Sequence, residues 1–251
     1  MSAAGRVVDF YDALADDYEL LFADWNASVV RQADVLAPLV GDGPILDVAA
    51  GLGTQAIGLA LAGRAVLARD LSPRLVERGR AHAARLGAAL LGYEVGDMRQ
   101  ARAEDRARFA AVIAFDNALP HLEDDDALVA ALAAARAALA PGGVFVASVR
   151  DYDALAARRP AFDEPRLLGS APSRRFVLQA WSWSADGRSY ELDHLIVREE
   201  PGGWSVRSRQ SRYRALLRRD LEAAAQRAGF TTIEWLEPAA TGFYQPIVRA
   251  R

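Results

Sequence analysis

The sequence predicts an open α/β sheet, covered by N-terminal helices and extended by an antiparallel β insertion. Short apolar runs alternate with helical patterns over residues 44–150, strand-like segments separated by turn signals follow residue 170, and two last strand-like segments lie close enough to pair. Alternating strands and helices imply a parallel sheet with right-handed crossovers, whereas strands joined by short turns imply antiparallel pairing.

The first forty residues are predicted to form two helices. Their apolar and aromatic side chains recur at spacings of three and four, which is the stripe of a helix that packs against a core. The side chains that form the stripe are Phe10, Leu14, Tyr18, Leu21, Phe22 and Trp25. We expect these helices to cover the sheet that follows.

Strands and helices then alternate to residue 150. "PILDV" precedes a helix over residues 53–62, and "AVLARD" precedes a helix capped by Ser72 with Pro73 in its first turn. "LLGYEV" and "AAVIAFD" supply two further strands. The acidic "EDDD" opens a helix that runs to Leu139, "PGG" stops it, and "VFVASV" is the next strand.

Beyond residue 170 the pattern becomes that of antiparallel strands. "RRFVLQAWSWS", "RSYELDHLIVRE" and "GWSVRSRQSRY" are separated by "ADG" and "EPGG", which predicts a three-stranded meander. A helix over residues 218–228, closed by Gly229, comes before the final strands "TTIEWLE" and "YQPIVRA".

The composition is that of a globular protein and argues against several classes. Apolar residues make up 52% and charged residues 25%, and the net charge is −3 without a basic stripe, so we expect no nucleic-acid partner. The absence of cysteine excludes disulfides and thiolate chemistry. We see no signal-peptide pattern, no metal-ligand cluster and no uncharged apolar run of about 18 residues, so we expect a cytoplasmic protein without a membrane partner.

A glycine turn joins the first strand to its helix. Gly51-Leu52-Gly53-Thr54-Gln55-Ala56 fits the pattern G-x-G-x-x-[GA], and Asp70 follows at the end of the second strand. Glycine tolerates positive φ and close backbone approach, and the amides of a helix N-terminus attract an anionic or polar group. Because an acid at the end of the second strand can accept both hydroxyls of a ribose, the turn predicts a nucleotide site.

NAD(P) and S-adenosylmethionine (SAM) both fit this turn, and three features favour SAM. Asp47 precedes Gly51 by four residues, where its carboxylate can orient the amides of the turn and hold water near an ammonium group. "GDM" at residues 96–98 follows the third strand, where an acid can accept from an adenine amino group and a methionine can pack on the ring. The paired C-terminal strands suit a seven-stranded sheet with one reversed strand.

Five motifs occur in order along nearly the whole chain: "LDVAAGLGTQAIGLA", "RDLSP", "GDM", "FDNALPHL" and "LAPGGVF". This set resembles the class I SAM-dependent methyltransferases. The resemblance implies a Rossmann-like seven-stranded sheet with one reversed strand, SAM as cofactor and S-adenosylhomocysteine as product. It also implies an acceptor that is a small molecule.

The resemblance implies cofactor-binding roles for residues in each motif. At the methionyl end it implies contacts from Asp47, Ala49, Gly51, Gly53 and Asp116, the last facing the ammonium group. At the adenosine end it implies Asp70 on the ribose, Leu71 under the adenine, and Asp97 and Met98 against the adenine edge and ring. Tyr18 and Trp25 are expected to form an aromatic lid near the sulfonium.

A closer similarity is to the glycine/sarcosine N-methyltransferase-like group. The segments that carry it are "FYDALADDYELLFADW", "GLGTQAIGLA", "DNALPHL", "VRDYDAL" and "GFYQPIV". It implies that the N-terminal segment covers the cofactor and that "VRDYD" flanks the acceptor, where an arginine can hold a carboxylate. We therefore expect a helical lid over residues 1–40, a SAM-binding core over 41–150, a meander over 151–214 that forms part of the acceptor pocket, and a C-terminal helix and strand pair over 215–251.

Methyl transfer from a sulfonium is an in-line displacement, so alignment and exclusion of water are expected to supply most of the catalysis. A neutral amine acceptor needs only to lose its proton, whereas a hydroxyl needs a base within about 3 Å, for which the candidates are Glu19, Asp116, His121 and His194. The residues predicted to act in catalysis are His121, Asp116 and Asn117. Those predicted to contact the acceptor are Tyr11, Asn117, His121, Arg150, Tyr152, Trp181, His194 and Tyr213.

The sequence favours N-methylation of a small amine or amino acid. O-methylation of a small molecule is the alternative, and an NAD(P)-dependent oxidoreductase or a SAM-binding protein without activity are less favoured. The acceptor identity and the oligomeric state, including a homo-oligomer, stay open at this point.

Overall fold

Two sheets organise the chain, which the computed structural model describes over residues 2–251. The larger sheet has seven strands in the order β10-β11-β5-β4-β1-β2-β3, and β11 runs antiparallel to both of its neighbours. This confirms the predicted seven-stranded sheet with one reversed strand. Its strands are β1 (Ile45–Asp47), β2 (Val66–Asp70), β3 (Gly92–Val95), β4 (Phe109–Ala114), β5 (Leu139–Ser148), β10 (Ile233–Leu236) and β11 (Ile247–Ala250).

The smaller sheet has four antiparallel strands in chain order, where the sequence predicts three. The additional strand is short and lies at an edge, and its sequence lacks the alternation that identifies the others. The strands are β6 (Arg166–Leu168), β7 (Arg175–Trp183), β8 (Ser189–Glu200) and β9 (Gly203–Arg214).

Eight α-helices and three 3₁₀ turns accompany the sheets within the described residues. The predicted caps hold: the Ser72 side chain accepts from the amide of Leu75, and Gly53 precedes the helix after the glycine turn. The sequence analysis missed the short helices α6 and α8. The helices are α1 (Ala3–Leu14), α2 (Trp25–Leu36), α3 (Thr54–Leu61), α4 (Pro73–Leu86), α5 (Asp125–Ala138), α6 (Tyr152–Arg158), α7 (Arg218–Arg227) and α8 (Pro238–Thr241), with 3₁₀ turns at Tyr18–Leu21, Ala103–Asp105 and Leu119–His121.

Helix α5 ends one residue before the predicted boundary. Leu139 is already extended, and "PGG" lies inside β5, where the register with β4 shifts between Phe109 and Ala111. The proline and glycines therefore make an irregularity at the start of the strand instead of stopping the helix.

The two N-terminal helices differ in how they meet the core. Helix α2 packs on α3 so closely that a Cβ on Gly58 would lie 2.3 Å from the carbonyl oxygen of Val29. Residues 13–22, between the end of α1 and α2, lie instead against the smaller sheet. We call residues 13–22 the lid segment. No helix among residues 2–251 is both long enough and apolar enough to cross a bilayer.

Candidate functional site

The glycine turn after β1 has the backbone that the sequence predicts. Gly51 and Gly53 have φ of +55° and +93°, which L side chains rarely adopt. A Cβ on Gly53 would lie 2.6 Å from Cδ1 of Ile57, so the site requires glycine for space as well. The turn leaves the N-terminus of α3 facing the carboxyl ends of β1, β2 and β4, where ligands bind in open α/β sheets.

Two buried carboxylates support the turn. An oxygen of Asp47 accepts from the amide of Ala49 at 3.2 Å, whereas Oδ2 meets no donor within residues 2–251. Asp70 accepts from the amides of Gly51 at 2.8 Å and Ser72 at 2.9 Å. Burial raises the pKa of Asp47 to about 8 and the pKa of Asp70 to about 6. A cation bound near the turn would therefore stabilise the ionised form of both carboxylates.

Asp116 lies beyond the end of β4 with φ of +55°, and the next residue, Asn117, has φ of +67°. The amide of Asp116 donates to Oγ of Ser148 at 2.9 Å, which holds this unusual backbone. Its carboxylate accepts from Nε2 of Gln55 at 2.8 Å and from the hydroxyl of Tyr244 at 2.6 Å. Burial raises the pKa of Asp116, and these two hydrogen bonds oppose that shift.

These groups line a cavity at the carboxyl ends of the parallel strands, the strand-end cavity, with about 1020 Å³ of empty space that is partly open to solvent. Most of the residues predicted to bind the cofactor lie on its wall. They are Tyr18, Ala49, Gly51, Asp70, Leu71, Asp97, Met98 and Asp116. Asp47 and Gly53 lie behind the turn and shape it.

The adenine-reading prediction for Asp97 meets a competing contact. Its carboxylate accepts from Nε of Arg99 at 3.0 Å and from Nη2 of the same arginine at 2.5 Å. The hydrogen bonds from Arg99 lower the pKa of Asp97 below its ordinary value although partial burial opposes them. Arg99 also lines the cavity, so the ionised Asp97–Arg99 pair lies on the cavity wall beside Met98.

A second cavity lies between the lid segment and the smaller sheet, and we call it the sheet-side cavity. It shares Tyr11, Tyr18 and Asp116 with the strand-end cavity, so the two spaces meet at these side chains. Among the residues predicted to contact an acceptor, those on its wall are Tyr11, Asn117, Arg150, His194 and Tyr213.

Arg150 is fixed by two contacts in this cavity. Its Nη2 donates to Gln179 at 2.8 Å, and its guanidinium lies 4.6 Å from the ring centre of Trp181. Nη1 of Arg150 and Nε1 of Trp181 are buried donors without an acceptor anywhere in the described chain. Both atoms are donors only, so only a group with acceptor lone pairs can satisfy them.

His121 is in contact with helix α1 and with the smaller sheet. Its Nε2 lies 2.8 Å from the hydroxyl of Tyr11, and its ring lies 4.2 Å from that of Tyr213. Burial, assisted by the positive fields of His194 and Arg150, lowers the pKa of His121 to about 3. His121 is therefore neutral at physiological pH.

His194 lies opposite Gln179 on the smaller sheet, and burial lowers its pKa to about 4. Its Nε2 finds no hydrogen-bonding atom in the part of the chain that the structure describes. His194 therefore presents a neutral ring to the sheet-side cavity. As bases, both histidines are weak, because a protonated form with so low a pKa holds its proton poorly.

Two aromatic side chains lie elsewhere than the sequence predicts. Tyr152 is buried behind Asn117, at 2.9 Å from its amide nitrogen and 2.8 Å from the hydroxyl of Tyr190, and does not reach the cavities. Trp25 donates to Oγ1 of Thr54 and packs against His82 in the core under α3 and α4 instead of forming a lid. Spacing along a helix could not distinguish these packing roles from ligand contacts.

Glu19 and Trp181 also need correction. Glu19 pairs with Arg78 at 3.2 Å on the outside of the lid segment, so the structure does not support a role for it as a base. Trp181 is 5% exposed and does not line the sheet-side cavity, because the guanidinium of Arg150 lies between them.

Sequence reasoning missed three polar residues of the site. Gln55 bridges Gln32 and Asp116, and Tyr244 donates to the same Asp116 carboxylate. Gln179 orients Arg150. Gln55 could have been predicted because it is a polar residue in a mostly apolar helix. Tyr244 could have been predicted because it belongs to the segment "GFYQPIV". Gln179 lies in a strand with no distinguishing signal.

Comparison with known proteins finds similarity to methyltransferases. Residues 45–143 match the family described as a methyltransferase domain. A curated glycine/sarcosine N-methyltransferase of Parasynechococcus marenigrum (strain WH8102) is 31% identical over 150 residues, which are 59% of this chain and 52% of that protein. The chain thus matches about half the length of its curated relatives.

Solved structures resemble nearly the whole chain. Streptomyces venezuelae DesVI superposes with a TM-score of 0.76 at 22% identity, over 94% of this chain and 97% of that one. CalS10 of Micromonospora echinaspora, a SAM-bound amino pentose methyltransferase, has a TM-score of 0.69 at 20% identity, over 90% and 91%. At these identities the likeness establishes the fold. The chain therefore resembles methyltransferases over residues 45–143 and has the fold that DesVI and CalS10 share.

Proposed function

We propose that this protein is a SAM-dependent methyltransferase that methylates the nitrogen of a small amine or amino acid. The observation that carries the proposal is the meeting of the two cavities at Tyr11, Tyr18 and Asp116. One cavity has the glycine turn and acids of a nucleoside site, and the other has donors suited to an oxygen-rich acceptor. The methyltransferase domain over residues 45–143 supports the same assignment.

The residues of the strand-end cavity fit SAM. Gly51 leaves room for a ligand to approach the backbone, and Asp70 keeps free lone pairs for ribose hydroxyls besides the two amides it accepts from. Asp116, Leu71 and Met98 line the same cavity, which supports roles for Asp116 with the ammonium group and for Leu71 and Met98 with the adenine. When bound, SAM supplies an electrophilic methyl carbon on a cationic sulfur.

The chain's own part in the reaction is to align the acceptor and to exclude water. Tyr11 and Tyr18 close the junction of the cavities, and Asp116 offers an acceptor for an N–H of the incoming amine. The low pKa of His121, about 3, makes it a poor base for a hydroxyl but an adequate neutral hydrogen-bonding group for an amine. This favours N-methylation over O-methylation.

The sheet-side cavity supports an acceptor that also carries an anionic or oxygen-rich group. Arg150 lines this cavity and directs a buried N–H that is unsatisfied within the described structure, and leaving such a donor unpaired is costly. A carboxylate on the acceptor would satisfy Arg150 and fix the amine at the junction. A small amino acid has both groups at the required proximity.

Isothermal titration with SAM and S-adenosylhomocysteine, followed by turnover of methyl-labelled SAM against a panel of amines, amino acids and matching alcohols, tests this function. We expect micromolar-range binding of both nucleosides and label transfer to members of the amine or amino-acid set. Binding of neither nucleoside would overturn the methyltransferase assignment. Transfer only to the alcohols would replace N-methylation by O-methylation.

A further inference from the structure

Four arginines of the smaller sheet bind one short stretch of the N-terminal cover. They come from strands β6, β7 and β9, and their targets all lie in the lid segment, residues 13–22. The contacts are Arg175 to the carbonyls of Leu20 at 2.8 Å and Phe22 at 2.6 Å, Arg166 to the carbonyl of Leu21 at 3.1 Å, Arg207 to Asp17 at 2.8 and 3.0 Å, and Arg209 to the carbonyl of Ala13 at 3.1 Å.

Strand register explains why these four side chains act together. Arg166 pairs with Val177, Arg207 with Ile196, and Arg209 with His194, which places all of them on one face of the sheet. Arg175 lies two residues before Val177 and shares that face. Gln179, His194 and Tyr213 of the sheet-side cavity project from the same face.

The contacts of Arg175 and Arg207 are the most specific of the set. Arg175 uses two nitrogens to hold two carbonyls that leave the 3₁₀ turn Tyr18–Leu21, a use of the planar guanidinium that a lysine could not reproduce. Arg207 binds both oxygens of Asp17, which is 3% exposed, so removing the arginine leaves a carboxylate buried without its cation.

Tyr18 lies between these two anchors. Its ring would be 3.5 Å from a Cβ on Gly51, so it packs directly over the glycine turn. The arginines do not line the strand-end cavity themselves, and any effect they have on a nucleoside there must pass through the segment that carries Tyr18.

We infer that Arg175 and Arg207 are positioning residues that hold Tyr18 over the glycine turn, so that the acceptor-side sheet sets the affinity for the nucleoside. The inference rests on the proposed function for the identity of the nucleoside. Loss of either arginine releases the lid segment, which weakens retention of the nucleoside more than it slows the reaction of the filled site.

The test compares Arg175→Ala and Arg207→Ala with Arg174→Ala. Arg174 is the matched control, because it immediately precedes Arg175 at the start of β7 and pairs with Glu199 near solvent. We expect the Kd of S-adenosylhomocysteine and the KM of SAM to rise about tenfold in the two variants, with kcat at saturation within about threefold of wild type. Arg174→Ala should leave both constants unchanged.

A double substitution separates positioning from general destabilisation. If Arg175 acts through Tyr18, Arg175→Ala combined with Tyr18→Ala weakens S-adenosylhomocysteine binding no more than Tyr18→Ala alone. Additive losses would overturn the inference. So would unchanged binding in Arg175→Ala. Should Arg175→Ala fail to fold, Arg175→Lys, which can hold one carbonyl, carries the same comparison with a smaller expected rise.

Hydrogen exchange on the ligand-free protein keeps this test distinct from that of the proposed function. We expect the amides of residues 13–22 to exchange faster in Arg175→Ala than in wild type or Arg174→Ala. Equal exchange in all three would overturn the inference even if the nucleoside binds. Failure of wild type to bind S-adenosylhomocysteine, with exchange as expected, would instead overturn the proposed function and the nucleoside part of the inference.

Discussion

The two cavities of this protein are built in different ways. The floor of the strand-end cavity is made of backbone amides, glycines and short carboxylates that follow β1, β2 and β4 by a few residues, and Tyr11 and Tyr18 cover it. The sheet-side cavity is made of long side chains from distant segments, such as Tyr11, Arg150 and Tyr213. Local backbone geometry thus defines the first site, and the packing of remote elements defines the second.

The difference predicts that the two halves respond separately to substitution. The largest effect is expected for Asp70→Ala, which removes the acceptor for the amides of Gly51 and Ser72 as well as the ribose contact. Since hydrogen bonds to a charged group contribute about 1.5–3 kcal/mol each, SAM affinity should fall by roughly 100-fold or more.

Titration calorimetry with SAM measures this, with Asp42→Ala as control because that carboxylate is fully exposed. A loss below about fivefold in Asp70→Ala would mean that the ribose is held elsewhere.

Arg150→Ala should affect binding in the sheet-side cavity. Its guanidinium, held by Gln179 and Trp181, is proposed to bind the acceptor's anionic group, so the KM for the acceptor should rise by about 30-fold. The Kd of S-adenosylhomocysteine should stay within about twofold of wild type.

Steady-state kinetics with the acceptor found in the panel, together with calorimetry, check this separation. Arg150→Lys should recover only part of the loss, since an ammonium cannot make the bidentate contact. A parallel rise in both constants would show that the two cavities are not independent at this residue.

The buried acids predict that ligand affinity at the strand-end cavity depends on pH. Asp47 and Asp70, with pKa values near 8 and 6, hold protons in the ligand-free protein that a nearby sulfonium would displace. SAM affinity should therefore rise with pH up to about 6 through Asp70 and up to about 8 through Asp47, by at most about tenfold per pH unit for each group, and level off above 8.

Calorimetry of SAM in two buffers of different ionisation enthalpy would detect the released protons. S-adenosylhomocysteine, which lacks the sulfonium charge, should release fewer. Equal proton release by the two ligands would contradict the role given to these carboxylates. Proton linkage has the opposite consequence for the ligand-free fold. Its stability should decline as pH rises from the ordinary value of 3.8 to about 6 for Asp70 and to about 8 for Asp47, because ionising a buried acid is unfavourable.

The smallest effect is expected for His121→Asn. A histidine with a pKa near 3 is neutral throughout the working range, so its removal should lower kcat by less than about fivefold. The pH–rate profile should keep its shape between pH 5 and 9. Disappearance of a limb from that profile in His121→Asn, but not in Tyr11→Phe, would show that the histidine acts as a base after all.

The contrast between the cavities also explains which parts of the site could be predicted. The glycine turn, Asp70 and Asp116 were accessible because a local motif fixes their position at a strand end. Tyr152 and Trp25 were misplaced because an aromatic residue in a helix has the same spacing whether it packs inside or faces a ligand. Their placement depends on Tyr190 and His82, which are distant in sequence.

The fold was more predictable than the acceptor side for the same reason. Alternation and turn signals identify each strand of the larger sheet, whereas the three residues of β6 carry too little pattern to be recognised. The low pKa of His121 arises from burial, to which Tyr11 and Tyr213 contribute from distant parts of the chain, and composition has no bearing on it.

The close approach of α2 to α3 at Gly58 has a practical consequence for altering this protein. Since a single added methyl group there would strike the carbonyl of Val29, α2 cannot be replaced without remodelling the flank of the sheet. Residues 2–22 are the part of the N-terminal cover that can be exchanged without disturbing this contact. A chimera that took this stretch from another member of the fold would change the walls of both cavities, because Tyr11 and Tyr18 line both.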